Sequence, residues 1–214
     1  TEHFYLDLSK LEPDVKKFLK DRSEHMRDTV IGESLGKIEA EGLKPRPITR
    51  DLDWGIPVPV EGWEGKCLYV WFEAVIGYLS AAIEWARLNG EPEAWHEWWT
   101  DAAARAFYFI GKDNIPFHAV IWPAQLSGAG EQFVKIFEER EGLPLILPYD
   151  VPANEFMNLE GQKISGSRNW AVWGLDFLSR YDPDPLRYYL TVNMPETRDT
   201  DWDWKEFLQR NNTE

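Results

Sequence analysis

Cysteine is almost missing from these 214 residues: Cys67 stands alone, which excludes an internal disulfide framework and a four-cysteine zinc knuckle. A lone thiol fits a reducing, cytoplasmic setting. Histidine is scarce as well. His3, His25, His96 and His118 are scattered without the spacing of a metal site, so no metal site is expected in this chain. No apolar run reaches the roughly 18 residues that a membrane span requires, and no membrane partner is expected. The start, Thr1-Glu2-His3-Phe4, has neither the basic opening nor the apolar stretch of a signal peptide. It also lacks an initiator methionine, and the chain is expected to be cut from something longer. Basic residues are the minority, 23 against 37 acidic ones, for a formal net charge of −14. That argues against general, sequence-independent affinity for nucleic acid but leaves room for a local basic patch.

Tryptophan, by contrast, is abundant, with 12 residues. Indoles can fill a core, and their N–H groups need partners when buried, so they often line pockets. The length suffices for one large domain or two small ones. Phe4 to Leu8 alternates and predicts a short strand, and Ser9 is expected to cap an amphipathic helix carrying Leu11, Val15, Phe18 and Leu19. A second helical pattern runs from about Arg27 to Glu41 and stops at Gly42. Four prolines between Pro45 and Pro59 then force an extended connection. Lys66 to Trp71 is nearly all apolar and predicts a strand covered on both faces, followed by a helix from about Val75 to Leu88. Arg105 to Ile110 predicts another strand, turning at Gly111 into a helix over His118 to Leu126, with Pro116 at its first turn. Strand and helix alternating through short turns indicate βαβ units and a parallel sheet. Beyond these, a strand reaches Asn158, helices cover Val172–Arg180 and Pro185–Val192, and Asp199–Trp204 alternates like a strand or turn before a last helix.

Ligands gather at the carboxyl ends of strands in such a sheet, which puts Trp71–Tyr78 and Gly111–His118 on the functional rim. Lys112 and Asp113 could hold a nucleotide there, the carboxylate taking ribose hydroxyls or an amine and the lysine a phosphate. They could equally be a solvated turn capping the next helix. His118 could serve a ligand or be a satisfied structural residue. Trp71, Ala74 and Tyr78 could line one cavity or belong to the core, and Trp85, Trp95, Trp98 and Trp99 are expected simply to pack. Downstream, Glu160-Gly161-Gln162-Lys163-Ile164-Ser165-Gly166-Ser167-Arg168 is a polar loop with a lysine, two serines and two glycines, able to wrap a phosphate chain.

Three blocks in this order resemble the second half of the catalytic region of methionyl-tRNA synthetases, which are class I aminoacyl-tRNA synthetases: Tyr69–Tyr78, Phe109–His118, and Lys163-Ile164-Ser165-Gly166-Ser167 at the place of the family's KMSKS loop. Arg50–Pro59, Trp122-Pro123-Ala124 and Asp184–Leu190 support it. The resemblance implies an α/β fold: the second half of a Rossmann-type parallel sheet followed by a small α/β KMSKS, or stem-contact, region. Residues 1–20 would end a connective insertion, residues 21–148 form the Rossmann half, and residues 149–214 lead toward an anticodon-binding helical bundle. It further implies that Trp71, Ala74, Val75, Tyr78 and His118 line the methionine side-chain pocket. Gly111, Lys112 and Asp113 would meet ATP and the reacting amino acid, the backbone near Met157 would hold adenine, and Lys163, Ser165 and Ser167 would clamp the departing pyrophosphate. The implied substrates are methionine, ATP with Mg2+, and initiator and elongator tRNA.

Two departures from the family pattern stand out. Gly166 takes the place of the loop's second lysine, a loss worth about 2–4 kcal/mol of transition-state stabilisation unless Arg168 compensates. The family's HIGH motif, its zinc-knuckle cysteines and its helical bundle have no counterpart here. The chain therefore resembles a fragment or one half of a split enzyme, whose partner is the N-terminal half of the catalytic domain. Its unpaired sheet edge would favour self-association. Two other readings stay open at this point: a module that binds methionine or ATP without catalysis, and part of a class I synthetase for another aliphatic amino acid or cysteine. The Trp71–Tyr78 and Gly111–His118 segments argue against the last.

Overall fold

The structure, a computed structural model, describes residues 1–138 and 142–213. It divides into two compact units, Thr1–Pro152 and Ala153–Glu214. Among the described residues no helix is long and apolar enough to cross a membrane.

In the first unit, β1 (Tyr5–Leu6) pairs antiparallel with β2 (Arg46–Pro47). Helices α1 (Leu8–Asp21) and α2 (Asp28–Glu41) lie between them. Helix α1 turns Leu8, Val15, Phe18 and Leu19 inward at helical spacing. Its Glu12 carboxylate accepts hydrogen bonds from Lys16 at 2.7 Å and from the Leu43 N–H at 2.6 Å, fastening the chain beyond α2 to α1. The lysine first, then that N–H, holds the Glu12 carboxyl below the usual carboxylate range. Strand β3 (Thr49–Asp51) pairs antiparallel with β4 (Lys66–Leu68). The chain then enters α3 (Val70–Glu73), a 3₁₀ turn (Ala74–Ile76), α4 (Gly77–Leu88) and the short α5 (His96–Trp99). Next come β5 (Ile110–Gly111), a 3₁₀ turn (Lys112–Asn114), a π-helical segment (Pro116–Ile121) and α6 (Trp122–Glu138), kinked at Gly130.

Parallel pairing appears where the stretch through β5 lies beside residues 150–152. Phe107 bridges Asp150, Tyr108 N–H donates to the Asp150 carbonyl, and Ile110 N–H donates to that of Pro152. Gly111 leaves the carboxyl end of this strand. A core of Val75, Leu79, Ala86, Trp95, Trp99, Tyr108, Trp122 and Leu126 fills the space between the helices. Helices α1 and α6 approach closely because position 128 is glycine. A Cβ there would meet Leu11 Cδ1 at 3.2 Å.

The second unit is a three-stranded sheet in the order β8-β7-β9, with β7 (Met157–Leu159), β8 (Gln162–Lys163) and β9 (Thr200–Trp202), preceded by β6 (Ala153–Asn154). Pairing is antiparallel in β7–β8 and parallel in β7–β9. Helices α7 (Gly174–Leu178), α8 (Pro183–Val192) and α9 (Trp204–Thr213) close it. Leu159, Phe177, Tyr189, Trp202 and Phe207 form its core, with the Trp202 and Phe207 rings stacked at 5.0 Å. The Asp203 carboxylate accepts the Glu206 N–H at 2.8 Å, an N-cap that ends β9 and starts α9.

Four expectations need correction. The strand at Phe4–Leu8 is only Tyr5–Leu6, and Ser9 lies inside α1, bonded to the Asp7 side chain instead of capping. The strand over Lys66–Trp71 ends at Leu68 and is antiparallel to β3, with Val70 and Trp71 already helical and exposed. The helix from His118 to Leu126 begins earlier, as a π segment, and runs on to Glu138. Of the four tryptophans expected to pack, Trp95 and Trp99 are core. Trp85 and Trp98 instead lean on each other at 4.9 Å on the half-exposed surface.

Candidate functional site

Trp71, Ala74 and Tyr78 fall at i, i+3 and i+7 along the continuous run from α3 into α4, which places them on one helical face. All three are exposed, Trp71 by 49% and Tyr78 by 43%. Val75 and Leu79, each one residue on from Ala74 and Tyr78, are buried in the core. Exposed and packed side chains thus occupy adjoining edges of the run. Val75 flanks the other three on the edge turned into the core.

His118 is 5% exposed and sits in the π segment, whose widened turn changes the helical register just before α6. Its Nδ1 lies 3.0 Å from the Asn114 carbonyl oxygen. That oxygen can only accept, so Nδ1 carries the proton. Nε2 must then accept, and it does so from the Tyr78 hydroxyl at 2.8 Å. Burial pushes the His118 pKa down against the opposing Asn114 bond, so the ring is neutral at pH ~7. Beneath it, Trp122 Nε1–H donates to the Tyr108 hydroxyl at 2.9 Å, and burial pushes the Tyr108 pKa up to about 12. Tyr78 meets Tyr108 edge-on at 5.0 Å. Trp71 stacks on Phe117 at 5.1 Å, one residue before His118. Neutral aromatic surface therefore presents itself above a histidine with both nitrogens engaged.

The sign of the His118 effect is testable. Its proton binds near pH ~6.5 in the unfolded chain and at a lower pH in the folded one. Stability is therefore full above the unfolded value and is lost as pH falls from there through the folded value. Urea midpoints measured at about pH 7.5 and about pH 5.5 are expected to fall toward acid, and less steeply in His118→Gln. Identical slopes for the two proteins would contradict the buried neutral ring.

Gly111 and Asp113 are exposed and Lys112 is half-buried, on the turn that delivers the Asn114 carbonyl to His118. A cavity of about 350 Å³ opens behind Trp71 and Phe117, bordered by Ile48, Tyr69 and Phe72. Ala74, Val75, Tyr78 and His118 do not line it. Sequence reasoning missed Tyr108 as a partner of this site. Asn114, Phe117 and Trp122 were within the quoted blocks, but their contacts were not legible. Among the described residues no cluster of three His, Cys, Asp or Glu side chains has metal-binding geometry.

In the second unit the polar loop begins with a two-residue hairpin turn. Glu160 and Gly161 have φ of 50° and 72° between β7 and β8, the positive values that a type I′ turn requires. The Asp201 carboxylate accepts the Gly161 N–H at 2.9 Å from both oxygens. Beyond β8 the chain turns again. Ser165 and Trp170 exchange backbone bonds of 2.8 and 2.9 Å around Gly166–Asn169. Lys163 Nζ lies 5.5 Å from the centre of the Phe156 ring, the Ser165 and Ser167 hydroxyl oxygens are 3.2 Å apart, and Arg168 Nη2 reaches to 3.5 Å from the Lys163 carbonyl. The structure thus brings Lys163, Ser165, Ser167 and Arg168 together on one exposed loop. Met157 is half-buried in β7 against the core of this unit. Gly166 has no positive φ, and a Cβ there would lie 3.6 Å from Trp173 Cη2, an ordinary contact. Neither backbone nor space imposes glycine at the position where the family pattern has lysine.

The family model for class I tRNA synthetases (M) matches residues 1–214. A methionine–tRNA ligase of Thermomicrobium roseum is 56% identical over 214 residues, covering 100% of this chain and 34% of the relative. One of Roseiflexus castenholzii is 52% identical over 223 residues, covering 100% of this chain and 35% of the relative. Among solved structures, Mycobacterium tuberculosis methionyl-tRNA synthetase in complex with methionyl-adenylate superposes with a TM-score of 0.76 at 25% identity, covering 100% of this chain and 38% of that one. The chain spans about a third of the length of the curated relatives it matches.

Proposed function

The chain belongs to the class I tRNA synthetase family, and on that premise we propose that it carries the methionine side-chain pocket and the pyrophosphate-holding loop of a methionine–tRNA ligase. The observation that carries this reading is the half-exposed pair Trp71 and Tyr78 beside a neutral His118. A thioether is uncharged and polarizable and packs well against aromatic rings. Because the Tyr78 proton is committed to His118 and the His118 proton to Asn114, neither of these two protons is offered to a polar side chain of similar size. Ala74 leaves room between the two rings, and Val75 supports that face from the core.

In the proposed reaction a methionine carboxylate oxygen attacks the α-phosphorus of ATP. The bond from that phosphorus to the bridging oxygen breaks, and pyrophosphate leaves. The aminoacyl group then passes from the adenylate to a ribose hydroxyl of tRNA, releasing AMP. Gly111, Lys112 and Asp113 would meet the ribose and the reacting amino acid, and the backbone at Met157 the adenine. Lys163, with the Ser165 and Ser167 hydroxyls, would hold the departing pyrophosphate, and Mg2+ would arrive on the phosphates of ATP. Placement and charge stabilisation supply most of the rate in such chemistry. The Arg168 guanidinium, near the Lys163 carbonyl, is placed to supply the second positive charge that position 166 lacks.

Residues 1–20, 21–148 and 149–214 would then be the end of a connective insertion, the Rossmann half and the KMSKS region. The N-terminal catalytic half would be a required partner, and the activity would be cytoplasmic. The test is methionine-dependent exchange of pyrophosphate into ATP with the N-terminal catalytic segments supplied. Trp71→Ala is expected to raise KM for methionine roughly 10- to 200-fold while KM for ATP stays put. An unchanged KM for methionine overturns the pocket assignment.

A further inference from the structure

We propose that Asn169 and Trp173 form a latch that sets the closed shape of the loop carrying Lys163, Ser165 and Ser167, making Asn169 a positioning residue for that loop. This rests on the reading of the loop as the pyrophosphate holder.

Asn169 does two things at once. Its backbone has φ 52°, a left-handed conformation that asparagine and aspartate tolerate far better than other side chains. In that conformation its N–H closes the turn onto the Gly166 carbonyl at 3.0 Å. Its side-chain oxygen meanwhile accepts the Trp173 indole N–H at 3.0 Å. The ring so held passes under Gly166, since Trp173 Cη2 is the atom that a Cβ at that position would touch. A second indole fastens the base of the loop: Trp170 Nε1–H donates to the Leu159 carbonyl at 3.1 Å. All these contacts lie between residues 159 and 173; the Leu159 carbonyl ties the base of the loop to the core of this unit, while Asn169 and the Trp173 ring lie outside that core. Asn169 and Trp173 are solvent-exposed, so each bond contributes modestly and the latch opens and closes without unfolding the unit.

Limited trypsin digestion of the 214-residue chain reads loop opening without any substrate, through the initial rate of cleavage at the Lys163–Ile164 bond. Asn169→Gly keeps the left-handed backbone and removes the accepting oxygen. Trp173→Phe keeps a ring and removes the donor. Each is expected to speed cleavage roughly fivefold, as loss of one net hydrogen bond implies. Asn169→Asp keeps both the accepting oxygen and the tolerance for positive φ, and is expected to cut at the wild-type rate. Circular dichroism of each variant checks that the unit still folds, and the two routes, one in the turn and one outside it, guard against a single misfolded variant. Wild-type cleavage rates in both Asn169→Gly and Trp173→Phe overturn the latch, as does an Asn169→Asp chain cut as fast as Asn169→Gly. The pyrophosphate reading fails separately, if removing Lys163 leaves exchange intact while these cleavage rates behave as expected.

Discussion

Lys163→Ala is expected to lower methionine-dependent pyrophosphate exchange by about 10²- to 10³-fold, with the N-terminal catalytic segments supplied. Lys163 is exposed at the end of β8 and leans over the Phe156 ring. Among the described residues no ion pair to a carboxylate engages its ammonium. A cation without an ion pair, on the loop that also carries the Ser165 and Ser167 hydroxyls, can neutralise a leaving pyrophosphate, and that charge develops as the P–O bond breaks. The effect should therefore fall on kcat more than on KM for methionine. Folding should barely change, since an exposed substitution typically moves stability by less than about 0.5 kcal/mol. A loss of less than about threefold would contradict the assignment and shift attention to Arg168, the other cation on the loop.

The largest stability effect is expected at Trp122. It is 2% exposed, it meets Trp99 at 5.9 Å and Tyr78 at 6.4 Å, and its indole N–H supplies the bond to the buried Tyr108 hydroxyl. Trp122→Ala removes a large core side chain and leaves that hydroxyl without its donor. The expected cost is about 3–5 kcal/mol, a sizeable part of the stability of a typical domain. Trp122→Phe should cost less, since it leaves a smaller cavity while still losing the donor. Urea unfolding of the two variants measures both numbers. A cost below about 1 kcal/mol for Trp122→Ala would mean that this core does not hold the site floor.

Helices α1 and α2 were legible because their apolar residues recur at helical spacing. The run from Lys66 to Trp71 misled for a physical reason. Its apolar residues look like a buried strand, but Val70 and Trp71 are exposed because the chain turns helical there, with the Phe72 and Glu73 N–H groups both bonding back to the Tyr69 carbonyl. Apolar residues held at the surface are what a binding face requires, and a pattern read for burial cannot distinguish the two. The Gly161 turn was legible. The left-handed residues beside it and beyond it, Glu160 and Asn169, were not, because hydrogen bonds made after folding support them. The role of Asn114 was equally hidden. Its carbonyl reaches His118 only through the turn and π segment that follow β5. The functional reading of Trp71, Tyr78 and Lys163 came from resemblance, since composition alone left each of them a bland alternative.

Amino-acid selectivity in pyrophosphate exchange decides whether this chain holds a methionine pocket. With the N-terminal catalytic segments supplied, this chain is expected to support exchange with methionine at a kcat/KM at least about 100-fold above that with leucine or isoleucine. Exchange driven equally by leucine, or no exchange with methionine at any concentration, would contradict a methionine pocket built on Trp71, Tyr78 and His118.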